Sequence, residues 1–108
     1  MKEGKSKREE ERKFRRISIL FGPQTPEFRG MGIQISSRGL FISTNNPIFI
    51  KGCRLKIEIQ SPEGCFQVDA IVRHAKKVPP SMVQVDRPGM GVEFIDPPQK
   101  LQDFLVSL

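Results

Sequence analysis

The stretch "CRLKIEIQSPEGCFQVDAIVRH", residues 53–74, decides the fold. Its first half alternates: Leu55, Ile57 and Ile59 fall on one side, Arg54, Lys56 and Glu58 on the other. That is the period-two pattern of a strand with one buried face. "SPEG" then supplies Pro and Gly at turn-compatible positions, and the chain returns with Phe66, Val68, Ala70 and Val72 facing inward. Residues 53–60 and 65–72 therefore read as an antiparallel hairpin. The pairing sets Cys53 beside Val72 and far from Cys65, so the two cysteines do not form a staple. One histidine, His74, and two thiols also fall short of a metal-binding set.

Working outward, the same period recurs. "ISILF" (17–21) opens a strand, and "MGIQIS" (31–36) and "GLFIST" (39–44) form a second antiparallel pair. In that pair Ile33 and Ile35 share one face and Leu40 and Ile42 another. "NNPIFIKG" (45–52) is a loop with one buried plug, Ile48 or Ile50. "KKVPPS" breaks the chain, "MVQV" (82–85) suits a short edge strand, and "DRPG" turns into "MGVEFI" (90–95). Only the last segment changes period. In "DPPQKLQDFLVSL" the residues Leu101, Phe104, Leu105 and Leu108 form a helical stripe behind a proline-rich start. Short strands without interior helices predict an all-β fold, a small antiparallel barrel with a C-terminal helix packed on it.

At 108 residues there is room for one modest core, and with no Trp or Tyr it must be built from Ile, Leu, Val and Phe. The net charge of +6 implies an anionic partner. Its distribution matters more than its size: residues 1–16 carry eight Lys/Arg against four Glu, and the rest is nearly balanced. Residues 1–11, with no apolar residue after Met1, form a flexible basic arm; 12–96 are the barrel and 97–108 the helix. Glu9–Lys13 and Glu11–Arg15 stand at i,i+4, which permits a solvated helical turn in that arm. Lacking a secretory leader or an apolar run of bilayer length, the chain is expected to be cytoplasmic, reduced and not inserted in a membrane.

Catalysis is not expected. His74 has no carboxylate pair or nucleophile at a working spacing and reads as an exposed loop residue, and there is no phosphate loop or dinucleotide fingerprint. Neither a metal nor a cofactor is implied. Two other clusters carry chemistry. "ERKFRRISI" brings Arg12, Arg15 and Arg16 up to the first strand, and a guanidinium fork suits phosphate oxygens or the O6/N7 edge of guanine. In "QISSRG" the inward Ile35 would send Gln34 and Ser36 outward together, while Gly39 allows close approach of a ligand. By itself this second segment reads more as a turn, whose serines satisfy nearby backbone groups, than as a site.

Together the two clusters resemble the double signature of PilZ domains: an arginine pair spaced RxxxR at the mouth of the first strand, then [DN]-hydrophobic-S-x-x-G. "RKFRR" (Arg12 to Arg16) fits the first motif, and "QISSRG" (Gln34 to Gly39) fits the second except at its first residue. "GMGVEF" (89–94) resembles the glycine-punctuated strand near the end of that family's barrel. The resemblance implies a six- or seven-stranded barrel that binds cyclic di-GMP, with the arm wrapping over the nucleotide and presenting a new surface to a protein partner. Arg12 and Arg16 would be the clamp, Ser36 and Gly39 the platform, and Gln34 would occupy the place of Asp or Asn. Arg15 and Arg38 would lend charge. Gln is neutral and one methylene longer than Asp; losing one charge-assisted bond costs roughly 1–2 kcal/mol, or about tenfold in affinity.

Arg8 and Arg12 also read RxxxR, but that frame sets three glutamates between the arginines, whereas Arg12/Arg16 runs straight into an apolar strand. Two further functions compete with the receptor: an interaction module of the same fold that has lost the nucleotide, and a barrel for single-stranded nucleic acid. The latter is disfavoured, since Phe41 and Phe49 are the only candidate stacking platforms.

Overall fold

The computed structural model describes residues 15–45, 47–82 and 86–108. Arg12, the arm at 1–11 and the alternative Arg8 therefore lie outside the described residues. Six strands form: β1 (Ile17–Gly22), β2 (Phe28–Ser36), β3 (Gly39–Ser43), β4 (Arg54–Ser61), β5 (Gly64–Lys76) and β6 (Gly89–Ile95). They close into a barrel in the order β1-β2-β3-β6-β5-β4, with every neighbouring pair antiparallel. Among the described residues six strands are found, one of the two numbers expected.

The decisive hairpin is as its alternation predicts. β4 and β5 pair without interruption from Arg54↔Ile71 to Ser61↔Gly64, so Leu55, Ile57, Ile59, Val68, Ala70 and Val72 all enter the core. At the turn Ser61 Oγ donates to the Gly64 carbonyl at 2.6 Å and accepts from the Glu63 N–H. At the other end Val72 N–H donates to the Cys53 carbonyl at 2.9 Å, and Cys53 and Cys65 are both free thiols. The C-terminal helix, α1 (Gln99–Ser107), buries Leu101 and Leu105 completely and stacks Phe104 on Phe66 with ring centroids 5.4 Å apart.

Three expectations are corrected, and one pair of alternatives is resolved. Ile33 does not share a face with Ile35. The inward positions on β2 ahead of the turn are Gly30 and Gly32, where a side chain would run into Phe21 and Ile42 or into Ile17 and Leu40. Ile33 therefore lies outside, and a bulge between Ile33 and Ser36 restores Ile35 to the core. The loop plug is Ile48, packed against the core, while Ile50 is among the most exposed apolar residues. Phe49 is no outer platform either: its ring meets Phe21 edge-on at 6.3 Å and tilts against Phe28 at 6.2 Å. Finally, Met82 ends a short 3-10 turn, Pro80–Met82, instead of opening an edge strand; the rest of "MVQV", residues 83–85, lies outside the described residues.

Candidate functional site

Two of the six ladders are irregular, and they flank one face. β2 carries two residues, Gln34 and Ile35, opposite the single Leu40 of β3. β5 carries an extra residue, Arg73, between the pairs Val72↔Val92 and His74↔Gly91. An extra residue bends its strand and re-aims the side chains beside it. Here the bulges turn Gln34 out on one side of the β3–β6 pair, and two successive residues, Arg73 and His74, out on the other. Between them lies a groove of about 410 Å³. Its floor is the outer face of β3 and β6, where Gly39 pairs with Glu93 and Phe41 with Gly91.

Each lining residue has a local cause. Gln34 sits at φ 51°, the left-handed region, as the bulge requires. Ser36 is buried at 5% exposure and holds the β2–β3 turn: its Oγ donates to the Gly39 carbonyl at 3.3 Å and accepts from Arg38 N–H at 3.2 Å. Gln34 and Ser36 thus reach one groove through a bulge, not by the simple alternation expected. Arg38 is anchored through its backbone, with Phe94 N–H donating to its carbonyl at 2.8 Å. At Gly39 a Cβ would strike the Val92 carbonyl oxygen, so bare backbone here is obligatory. A side chain at Gly91 would meet the His74 ring, which lies across that glycine with its centroid 6.4 Å from Phe41. His74 is exposed, as expected, but belongs to a strand and a groove wall, not a loop.

Gln34 also borders a second, smaller cleft of about 190 Å³ whose other walls are Arg15, Arg16, Ile33 and Arg87. Among the described residues no acidic side chain lines it. Arg87 is positioned from both sides. Its backbone N–H donates to Asp86 Oδ1 at 2.9 Å and its Nη1 to Ser43 Oγ at 3.4 Å, while Asp86 is tied to Lys76 at 2.6 Å. The hydrogen bond from Lys76 holds the Asp86 carboxyl below its ordinary pKa, helped by the Arg87 N–H.

Of the predicted residues, then, Arg16, Arg15, Gln34, Ser36, Gly39 and Arg38 all line two adjoining depressions that share Gln34, and Arg12 lies outside the described residues. Sequence reading missed Arg73, Glu93 and Arg87. Arg73 and Glu93 look like ordinary outward charges in alternating strands, and Arg87 follows an unremarkable turn. Among the described residues no group of three His, Cys, Asp or Glu side chains is arranged to hold a metal, and no helix is long and apolar enough to cross a membrane.

Comparison with known proteins places this geometry in context. A sequence profile of the PilZ domain matches residues 6–108. The solved structure of the Bacillus subtilis inhibitor of motility, MotI/DgrA, superimposes with a TM-score of 0.73 at 20% identity, over 91% of this chain. At that identity the likeness is one of fold, and this chain spans 47% of the length of that one. No curated protein matches the sequence significantly.

Proposed function

This chain belongs to the PilZ domain family, and from that premise we propose that it is a receptor for cyclic di-GMP. The observation that carries the reading is the meeting of the two motifs at one residue. Arg16 and Gln34, eighteen positions apart in sequence, border the same small basic cleft, and Gln34 also walls the groove that holds Ser36 and Gly39. Among the described residues this small cleft gathers three guanidinium groups and no carboxylate, which favours an anion, since each arginine offers a planar fork of charged donors. The adjoining groove, floored by bare backbone at Gly39, suits a flat base.

On this reading Arg15, Arg16 and Arg87 take the phosphates, and Gln34, Ser36 and Gly39 take the base. Arg12 closes over the nucleotide as the arm at residues 1–11 is drawn in. That closure is an order–disorder switch whose output is a surface a protein partner can recognise. No catalytic role is assigned to any residue. The protein is placed in the cytoplasm, where a nucleotide second messenger is made.

Calorimetric titration and thermal melting with cyclic di-GMP test the reading. The expected result is measurable heat and a raised melting temperature at about 100 μM ligand, because a ligand at a hundred times its Kd stabilises the folded state by about 2.7 kcal/mol. Arg16→Ala should weaken binding by roughly tenfold or more, the loss of one charged hydrogen-bonding group. No response at that concentration, or unchanged binding in Arg16→Ala, overturns it.

A second reading, a PilZ-fold interaction module without the nucleotide, is favoured by one observation. Both hydrogen bonds of the Ser36 hydroxyl are made inside its own turn. The same titration separates the two.

A further inference from the structure

We propose that Glu93 and Arg73 form a guanine-edge reader on the groove wall, supplying the carboxylate that position 34 lacks. This inference rests on the receptor reading above and deepens it.

The placement comes first. Glu93 pairs directly with Gly39 across the β3–β6 ladder, so its side chain rises beside a floor position where the Val92 carbonyl excludes any side chain. Arg73 is the extra residue of the β5 bulge, and its Nε donates to Glu93 Oε1 at 2.7 Å. The two side chains keep 56% and 48% of their surface exposed, so both remain open to a ligand. An exposed pair of this kind contributes little to stability by itself. That leaves its position, on the wall of a groove facing Gln34, as the feature to account for.

The chemistry follows from the order of groups along a guanine. Its N7 and O6 accept hydrogen bonds, and its neighbouring N1–H and N2–H₂ donate them. A carboxylate accepts from both donors at once. A guanidinium beside it, with Nε–H already on the carboxylate, has further N–H groups for O6 and N7. Glu93 and Arg73 present that complement side by side. Adenine inverts it: its exocyclic amine would face the guanidinium, and its unprotonated N1 would set a lone pair against the carboxylate. The same pair thus attracts guanine and repels adenine, which is how a site discriminates between similar ligands. Neutral Gln34 can do neither through charge.

The test uses the full chain, titrated with cyclic di-GMP, cyclic di-AMP and the inosine analogue cyclic di-IMP, which lacks the N2 amine. Wild type should prefer the guanine ligand, then the inosine one, then the adenine one. Glu93→Gln places an amide N–H₂ where an acceptor is needed. It should lose roughly tenfold for cyclic di-GMP, less for cyclic di-IMP, and nothing for cyclic di-AMP. Its melting temperature without ligand should match wild type, and Arg73→Ala should lower affinity for the two ligands that carry O6. If wild type binds cyclic di-GMP while Glu93→Gln keeps both affinity and selectivity, the inference is overturned and the receptor reading stands. If wild type binds none of the three, the receptor reading falls and takes this inference with it.

Discussion

The barrel has a regular half and a bulged half, and they do different work. Where β1, β4 and β5 meet, every residue pairs in unbroken register and the inward positions are apolar, mostly Ile, Leu and Val. Where β2 meets β3 and β5 meets β6, the register slips, and the outer face collects Gln34, Arg38, Arg73, His74 and Glu93. Both halves feed the core, with Ile35, Leu40, Ile42 and Met90 as fully buried as Leu55 and Ile57, but candidate chemistry gathers on the second. The bulges are what allow one closed sheet to do both, because each shifts polar residues outward without removing an apolar residue from the core.

Substitutions in the two halves should therefore separate stability from binding. The largest expected effect is in the regular half. Ile57 is 1% exposed and lies in mid-strand between β1 and β5. Truncation to Ala should cost roughly 2–5 kcal/mol, the usual range for such a cavity. Denaturant unfolding measures this, and affinity for cyclic di-GMP in the fraction that stays folded should be unchanged. A loss of affinity in folded Ile57→Ala, with no loss of stability, would break the division between the halves.

The sequence made the regular half legible because strict alternation and strict register are the same fact stated twice. Leu55, Ile57, Ile59, Val68, Ala70 and Val72 were readable as core from their spacing alone. The bulged half resists that reading for an identifiable reason. With glycines at the inward positions 30 and 32, the hydrophobic signal moves to Met31 and Ile33, which lie outside, and the phase then changes within Gln34–Ser36. Motif spacing survives such a slip, so Gln34, Ser36, Gly39 and Arg16 could still be identified. Arg73, Glu93 and Arg87 belong to no motif. What brings them to the site is strand order and a register shift, and neither is visible in a single sequence.

Gln34 sits within the β2 bulge itself. Its φ of 51° costs an ordinary L-residue roughly 1–2 kcal/mol, whereas Asn and Asp adopt this region more readily. Gln34→Asn should therefore raise stability by a few tenths of a kcal/mol up to about 1, with little change in affinity. Gln34→Asp should add a charged acceptor as well, and tighten cyclic di-GMP by up to about tenfold. If Glu93 reads the same base edge, that gain is larger in a Glu93→Gln background, since two carboxylates serving one edge are not additive. Equal gains in both backgrounds would mean the two residues face different parts of the ligand. Unchanged or weaker affinity in Gln34→Asp would remove the base from this wall altogether.

The smallest effect lies in the turn that delivers Arg87. Asp86 has its carboxyl held below the ordinary value of 3.8, chiefly by the hydrogen bond from Lys76. A carboxylate whose folded-state pKa is depressed contributes stability that is fully present above its unfolded pKa and is lost as pH falls through the folded one. Wild type should therefore melt slightly above Asp86→Asn at pH 7, and the gap should close only as the pH drops below 3.8 and the carboxyl protonates in both states. Because both partners are solvent-exposed, the gap should also shrink in high salt. Affinity gives the more telling readout. Asp86 accepts from the Arg87 backbone, a bond the carbonyl oxygen of Asn can keep, so Asp86→Ala rather than Asp86→Asn should loosen the third arginine of the basic cleft and weaken cyclic di-GMP modestly at pH 7, less than Arg87→Ala does. A variant that melts lower yet binds unchanged would confine Asp86 to the fold and leave Arg87 positioned by Ser43 alone.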